Sequence, residues 1–143
     1  MRFTLVVDKE RDEEVVVYAH KRTGLVNEIE QIVSRNSLEL IGYNDRSCVK
    51  LSPADVCCFT VEDNKVYAIT KTEKLLLKCR LYQLEESLPE SFVKINQSCI
   101  VNISQIKKFD ASISGTLKVT LVNGYNDYVS RRQLKNVKER LSL

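Results

Sequence analysis

Residues 92–109, FVKINQSCIVNISQIKKF, set a β-prone apolar run against uncharged hydrogen-bonding side chains that such a run normally excludes. Phe92, Val93, Ile95, Ile100, Val101, Ile103 and Ile106 belong in a core, whereas Asn96, Gln97, Ser98, Asn102 and Ser104 do not. Buried amides without partners are costly, so any fold for this chain must give these five side chains a backbone, solvent or ligand partner.

The surrounding sequence predicts short strands with close turns. VCCFTVED and KVYAITK face each other across Asp63–Asn64, a hairpin signal that lacks the favoured glycine. KLLLKCRLYQLEESL begins as strand and turns helical near Leu81, Leu84 and Leu88 before Pro89 stops it. In LKVTLVNGYNDYVS, Leu117, Val119 and Leu121 alternate on one face, and Asn123–Gly124 is the strongest short-range hairpin signal in the chain. Ser130 and Gln133 make an S-x-x-Q capping box, which predicts a C-terminal helix with Leu134, Val137 and Leu141 on its apolar face.

Ahead of this region, residues 2–8 (RFTLVVD) and 14–19 (EVVVYA) read as Val-rich strands. Residues 24–35 place Leu25, Ile29, Ile32 and Val33 on one face of an amphipathic helix. NSLELIGYNDRSCVKLSPADV then reads as strand, Asn-Asp turn and strand, ended by Ser52–Pro53. The chain is therefore expected to be mostly β, of α+β class. A small β/α element (1–45) precedes an antiparallel β domain with a short C-terminal helix (46–143).

Composition narrows the function classes. Forty-three per cent hydrophobic and 29% charged residues are ordinary for a soluble globular chain of 143 residues. The densest apolar window is broken by Lys78 and Arg80, and the N-terminal run is too short and too acidic for a secretory signal. A cytoplasmic protein is expected. Five cysteines without C-x-x-C spacing, and a single histidine, read as reduced core thiols and not as a zinc site. The four glycines are too scattered for a phosphate loop. His20, the one imidazole base, sits beside Lys21 and Arg22 as a surface residue, and Glu85–Glu86 read as a solvated face. No catalytic, metal or cofactor site and no small-molecule substrate is expected. Charge is uneven: residues 94–143 carry nine Lys or Arg against three Asp or Glu, a net of +6, while residues 1–93 are net −3. A polyanion-facing surface and a solvated basic helix explain that equally well.

With these motifs assembled, the C-terminal hundred residues resemble the LytTR DNA-binding domain of bacterial transcription regulators. The family's central pattern, approximately F-x-R-x-H-R-S-x-[IV]-V-N-x-x-x-I, is matched by Phe92, Lys94, Ser98, Ile100, Val101, Asn102 and Ile106, with Lys in place of Arg. Its C-terminal pattern, approximately [VS]-S-R-R-x-L-K-x-[LV]-K, is matched by Ser130, Arg131, Arg132, Leu134, Lys135, Val137 and Lys138.

The resemblance implies an elongated, mostly antiparallel β fold that sets loops and a helix start into successive grooves of double-stranded DNA. It implies contact regions at Asn64 and Lys65, at Asn96, Gln97 and Ser98, and at Arg131 and Arg132, with Lys135 one helical turn further on. The family's His-Arg is replaced by Asn96–Gln97, which removes a charge but leaves amides suited to adenine edges. Asn102 is expected to close a loop on backbone. Two cations in a helix's first turn oppose its macrodipole by roughly 0.3–1 kcal/mol each, a cost that a phosphate or guanine edge would offset.

About 45 residues precede the match, too few for a receiver domain, so a stand-alone regulator is expected. The resemblance further implies paired direct repeats as the target and a membrane-protein inhibitor as partner. Residues 1–45 are too few to bury a core of their own. They are expected to act as a dimerisation or regulatory arm, packing on a second copy in a homodimer or on the DNA-binding domain. Two other classes compete: a non-catalytic interaction module whose basic part binds an acidic protein, and an RNA binder stacking bases on Tyr67, Tyr125 and Tyr128. Core packing on strands explains those tyrosines as well.

Overall fold

A computed structural model describes residues 1–37, 40–112 and 114–143, the side chains of 34–37 excepted. It divides into two units, Met1–Val33 and Ser34–Leu143. In the first, helix α1 (Gly24–Ser37) forms where the apolar periodicity places it. The two Val-rich segments, 2–8 and 14–19, are not strands: both are exposed along their length and join no ladder. A strand needs a partner to bond its backbone, and within this unit neither segment supplies one to the other.

The second unit contains β1 (Leu40–Tyr43), β2 (Cys48–Leu51), β3 (Val56–Glu62), β4 (Lys65–Thr70), β5 (Lys74–Leu77), α2 (Leu81–Ser87), β6 (Phe92–Asn96), β7 (Cys99–Asn102), β8 (Ile106–Ala111), β9 (Leu117–Leu121), β10 (Asn126–Val129) and α3 (Arg131–Arg140). Two antiparallel sheets result, ordered β2-β1-β5-β4-β3-β7-β6 and β10-β9-β8. β1 pairs with both β2 and β5 within this unit.

Strand alternation explains two cores. Phe59, Leu75, Leu77, Phe92 and Ile100 share one face of the large sheet with Leu81 and Leu84 of α2. Phe59 and Phe92 stack at 5.6 Å between centroids, and burying either ring contributes roughly 1.5–3 kcal/mol. The opposite face presents Val93, Ile95, Cys99 and Val101 to Leu117, Val119 and Leu121 of β9 and Val137 of α3. Cys57 and Cys58 are consecutive yet join this same second core, because a bulge between Val56 and Cys58 interrupts the alternation.

The local turn signals hold. Asp63 and Asn64 both have positive φ (50° and 62°), which makes the β3–β4 connection a tight hairpin turn despite the missing glycine. Asn tolerates that conformation because its short polar side chain bonds locally. Gly124 (φ 91°) turns β9 into β10, with Asn123 Oδ1 accepting from the Tyr125 N–H at 3.0 Å. Asn102 closes its loop as expected. It is 3% exposed; its Nδ2 donates to the Val56 carbonyl, and its Oδ1 accepts from the N–H and hydroxyl of Ser104.

The capping box at the last helix does not form. Ser130 occupies the N-cap, but its side chain makes no capping bond. Its N–H, which Gln133 would need, is already donated to the Ile95 carbonyl at 2.8 Å. A tertiary bond has displaced the local one. Together with Arg140, whose guanidinium donates to the Phe92 and Glu90 carbonyls, it fastens α3 along the edge strand β6.

Candidate nucleic-acid interface

The β3–β4 turn lies at the end of β3 where β7 begins, since Thr60 pairs with Cys99. The Val61 N–H continues that ladder by donating to the Ser98 carbonyl at 2.9 Å. The β6–β7 turn therefore stands beside the β3–β4 turn at one end of the large sheet. The Ser130–Ile95 bond brings the start of α3 to the same end. Asn64 and Lys65, Gln97 and Ser98, and Arg131 and Arg132, up to 68 positions apart in sequence, are thus gathered on one rim.

All six are exposed. Among the described residues, the side chains of Asn64, Lys65, Gln97, Arg131, Arg132 and Lys135 make no hydrogen bond or ion pair. Lys74, Lys94 and Lys108 elsewhere on the sheets are engaged by Glu62, Glu85 and Asp110. Lys135 lies one turn along α3 from Arg131 and Arg132, on the face opposite the buried Val137. The first turn of α3 contains no acidic residue; with the Ser130 side chain not capping it, the N–H groups of Arg131 and Arg132 stay open, while that of Gln133 donates to the Ser130 carbonyl at 3.1 Å. This rim is a convergence of amide and guanidinium donors on the sheet frame, which suits anionic and hydrogen-bonding partners.

Asn96 differs from its neighbours. Its Nδ2 donates to the Tyr128 carbonyl at 2.9 Å and its Oδ1 accepts from the Ser98 N–H at 2.8 Å. The amide expected to face a ligand is used on both ends to tie the β6–β7 turn to β10. The residue sits in a register shift between β6 and β7, which leaves its amide pointing at β10 rather than outward.

Two residues on this side escaped sequence reasoning. Tyr128, expected to pack in the core, is 55% exposed, and Lys118 opposite it on β9 lies 6.0 Å from its ring centre. The signal was the N-D-Y-V alternation, whose phase places Val129 inside and Tyr128 outside. Tyr125, in contrast, is half-buried, and its phenol is pushed above its ordinary value by burial first and then by the nearby thiols and Asp127. The Cys58 thiol is also pushed up, chiefly by its hydrogen bond with Cys99 and then by burial. The core behind the rim is therefore neutral, and the charge lies in front. All five cysteines are free. Among the described residues no group of His, Cys, Asp and Glu is arranged to hold a metal, and no helix is long and apolar enough to cross a membrane.

Two antiparallel sheets here carry polar loops and a helix start at one end. Residues 46–142 match the LytTr DNA-binding domain, and the chain belongs to that family. It is 36% identical over its whole length to proteins named uncharacterized HTH-type transcriptional regulators in Staphylococcus aureus strains MSSA476 and MW2, covering 99% of each. Its fold is similar to the LytTr DNA-binding domain of a methyl-accepting/DNA response regulator from Bacillus cereus. That likeness has a TM-score of 0.69 at 22% identity and covers 73% of this chain and 97% of the other. Among the described residues no two helices follow one another directly, so the helix-turn-helix in the relatives' name has no counterpart in this element order.

Proposed function

We propose that the chain is a transcription regulator that binds double-stranded DNA sequence-specifically through the rim at the end of the large sheet. In this reading Arg132 reads a base edge, with Gln97 as a second, uncharged reader. Arg131, Lys65 and Lys135 contact phosphate, helped by the open N–H groups of α3. Asn96 acts as a strut that holds the Gln97 turn in place. The observation that carries the proposal is the meeting of three sequence-distant sets of unpaired donors at one end of a rigid sheet, within a chain of the LytTr family. Paired direct repeats, each bound by one copy, are the target arrangement this reading favours.

Fluorescence anisotropy on specific and random duplexes across a salt series tests it. Arg132→Ala weakens specific binding by roughly 1–3 kcal/mol and relaxes preference at one base position. Arg131→Ala weakens all duplexes alike and reduces the salt slope by about one. Gln97→Ala alters preference and leaves the salt slope unchanged, because it removes no charge. Equal losses on specific and random duplex in both arginine variants would overturn the division of roles. Tight binding to an acidic protein with no preference among duplexes would overturn the reading altogether.

A further inference from the structure

The end of the large sheet that carries the rim continues past the β3–β4 turn, through β5 and β1 to the edge strand β2. Strand register fixes which side chains stand there. Glu62 pairs with Lys65 and Val66 with Leu77, so Lys78, the next residue, leaves the sheet beside Lys65. The Tyr43–Leu76 pair sets Ile41 opposite Lys78, and Ile41 pairs with Lys50. Outward from β3 the row therefore reads Glu62, Lys65, Lys78, Ile41, Lys50. Val66, Leu77 and Leu51 turn into the first core, so the three neighbouring lysines project from the other face. All three are exposed, and among the described residues none has a hydrogen bond or ion pair. Lys78 Nζ is held over the Tyr43 ring, 4.5 Å from its centre. Glu62 is engaged by Lys74, which leaves Asp63 as the one other acid in β1 to β5, with their connecting β3–β4 turn, at this end of the sheet. Lys65 and Lys78 stand directly opposite one another, and like charges so placed repel. An anion lying along the row would offset that cost.

We propose that Lys78 and Lys50 bind phosphates of the duplex flank, extending the DNA contact from Lys65 to the β2 edge of the sheet. This deepens the duplex-binding reading and rests on it. Strands lie about 4.8 Å apart, so the three steps from β4 to β2 span roughly 14 Å, the length of about four base pairs. Lysine fits this task, because a point charge with rotatable donors holds a phosphate without reading a base. The two sides of the rim then differ in kind. Toward β6, where α3 is fastened, stand Gln97, Arg131 and Arg132, which combine base reading with phosphate contact. Toward β2 stands a row of lysines alone, which binds any sequence. The footprint on DNA is accordingly longer than the segment whose sequence matters, and the excess lies on one flank.

Two anisotropy series on the full chain test it. The first uses one random-sequence duplex of about 30 base pairs across a range of salt. Lys50→Gln and Lys78→Gln each make the salt slope shallower by about one, and the double variant by about two, with affinity near 0.1 M salt lower by at least about tenfold. Lys71→Gln removes the same charge from the β4–β5 turn, at the opposite end of the sheet, and leaves the slope unchanged. Both tested lysines are exposed, and an unaltered Tm excludes loss of the fold as the cause. The second series uses the duplex that the wild type selects from a random pool, shortened stepwise from either end. The wild type loses affinity as about four base pairs of one flank are removed. Lys50→Gln/Lys78→Gln binds full and shortened forms alike and keeps the wild-type preference among sequences. A wild-type slope in both single variants, or an equal loss on shortening in the double variant, would overturn the inference and leave these lysines as protection of the β2 edge. A wild type without preference among duplexes, together with shallower slopes in the variants, would instead overturn the sequence-reading proposal and keep the phosphate row.

Discussion

Replacing Asn96 by alanine removes two hydrogen bonds that join elements distant in sequence, to the Tyr128 carbonyl at 2.9 Å and from the Ser98 N–H at 2.8 Å. Both backbone partners lie on exposed residues, so each stays solvated after the change, and only the net value of each bond is lost. At roughly 0.5–1.5 kcal/mol apiece the destabilisation is about 2 kcal/mol. Unfolding entropy near 2.1 cal/mol/K per residue over a unit of this size converts that into a Tm lower by about 8 °C. Gln97→Ala, one residue away and exposed, leaves Tm within about 2 °C of wild type. The assay is thermal unfolding by circular dichroism, with duplex binding measured in parallel well below both transitions. Asn96→Ala weakens binding indirectly, by loosening the turn that carries Gln97. An unchanged Tm in Asn96→Ala, with loss of preference at one base position, would show Asn96 to be a reader and refute its role as a strut.

Asn102→Ala costs about 3 kcal/mol, measured by urea unfolding, because a 3% exposed amide leaves the Val56 carbonyl unpaired in the core. Gly42→Ala destabilises by roughly 1–3 kcal/mol in the same assay, since an added Cβ would lie 2.7 Å from Leu75 Cβ, where β1 passes β5. In the native protein Cys48, the exposed thiol, is the one alkylated, while Cys57, Cys58 and Cys99 react only after unfolding. The thiols of Cys57, Cys58 and Cys79 are held above their ordinary value, so the folded state keeps protons that the unfolded chain releases. The thiols' contribution to stability is therefore constant below about pH 8 and is lost as pH rises beyond it, a trend checked by urea midpoints across the alkaline range.

What could be read from the sequence follows the range of the interactions. The Asp63–Asn64 and Asn123–Gly124 turns and the helix after Ser130 depend on neighbours in sequence, and each forms where its residues place it. Core positions in β6 and β7 were legible for the same reason, as the alternation of Phe92, Val93 and Ile95 fixes their faces without reference to a partner. Three features turned on contacts between distant residues. Ser130 gives its N–H to Ile95 and so loses its capping box, Asn96 is drawn to Tyr128, and segments 2–8 and 14–19 find no partner within the first unit. The gathering of the three candidate contact sets on one rim is also non-local. Spacing alone carries no sign that Lys65 and Arg132 share an end of one sheet.

Selection of bound sites from a random duplex pool, run in parallel on wild type, Arg132→Ala and Gln97→Ala, tests the central claim most directly. The account predicts a defined motif for the wild type, selected as two copies in the same orientation. It predicts loss of preference at one base position in Arg132→Ala and at a different position in Gln97→Ala. An unenriched pool for the wild type, or the same motif returned by all three proteins, would contradict it.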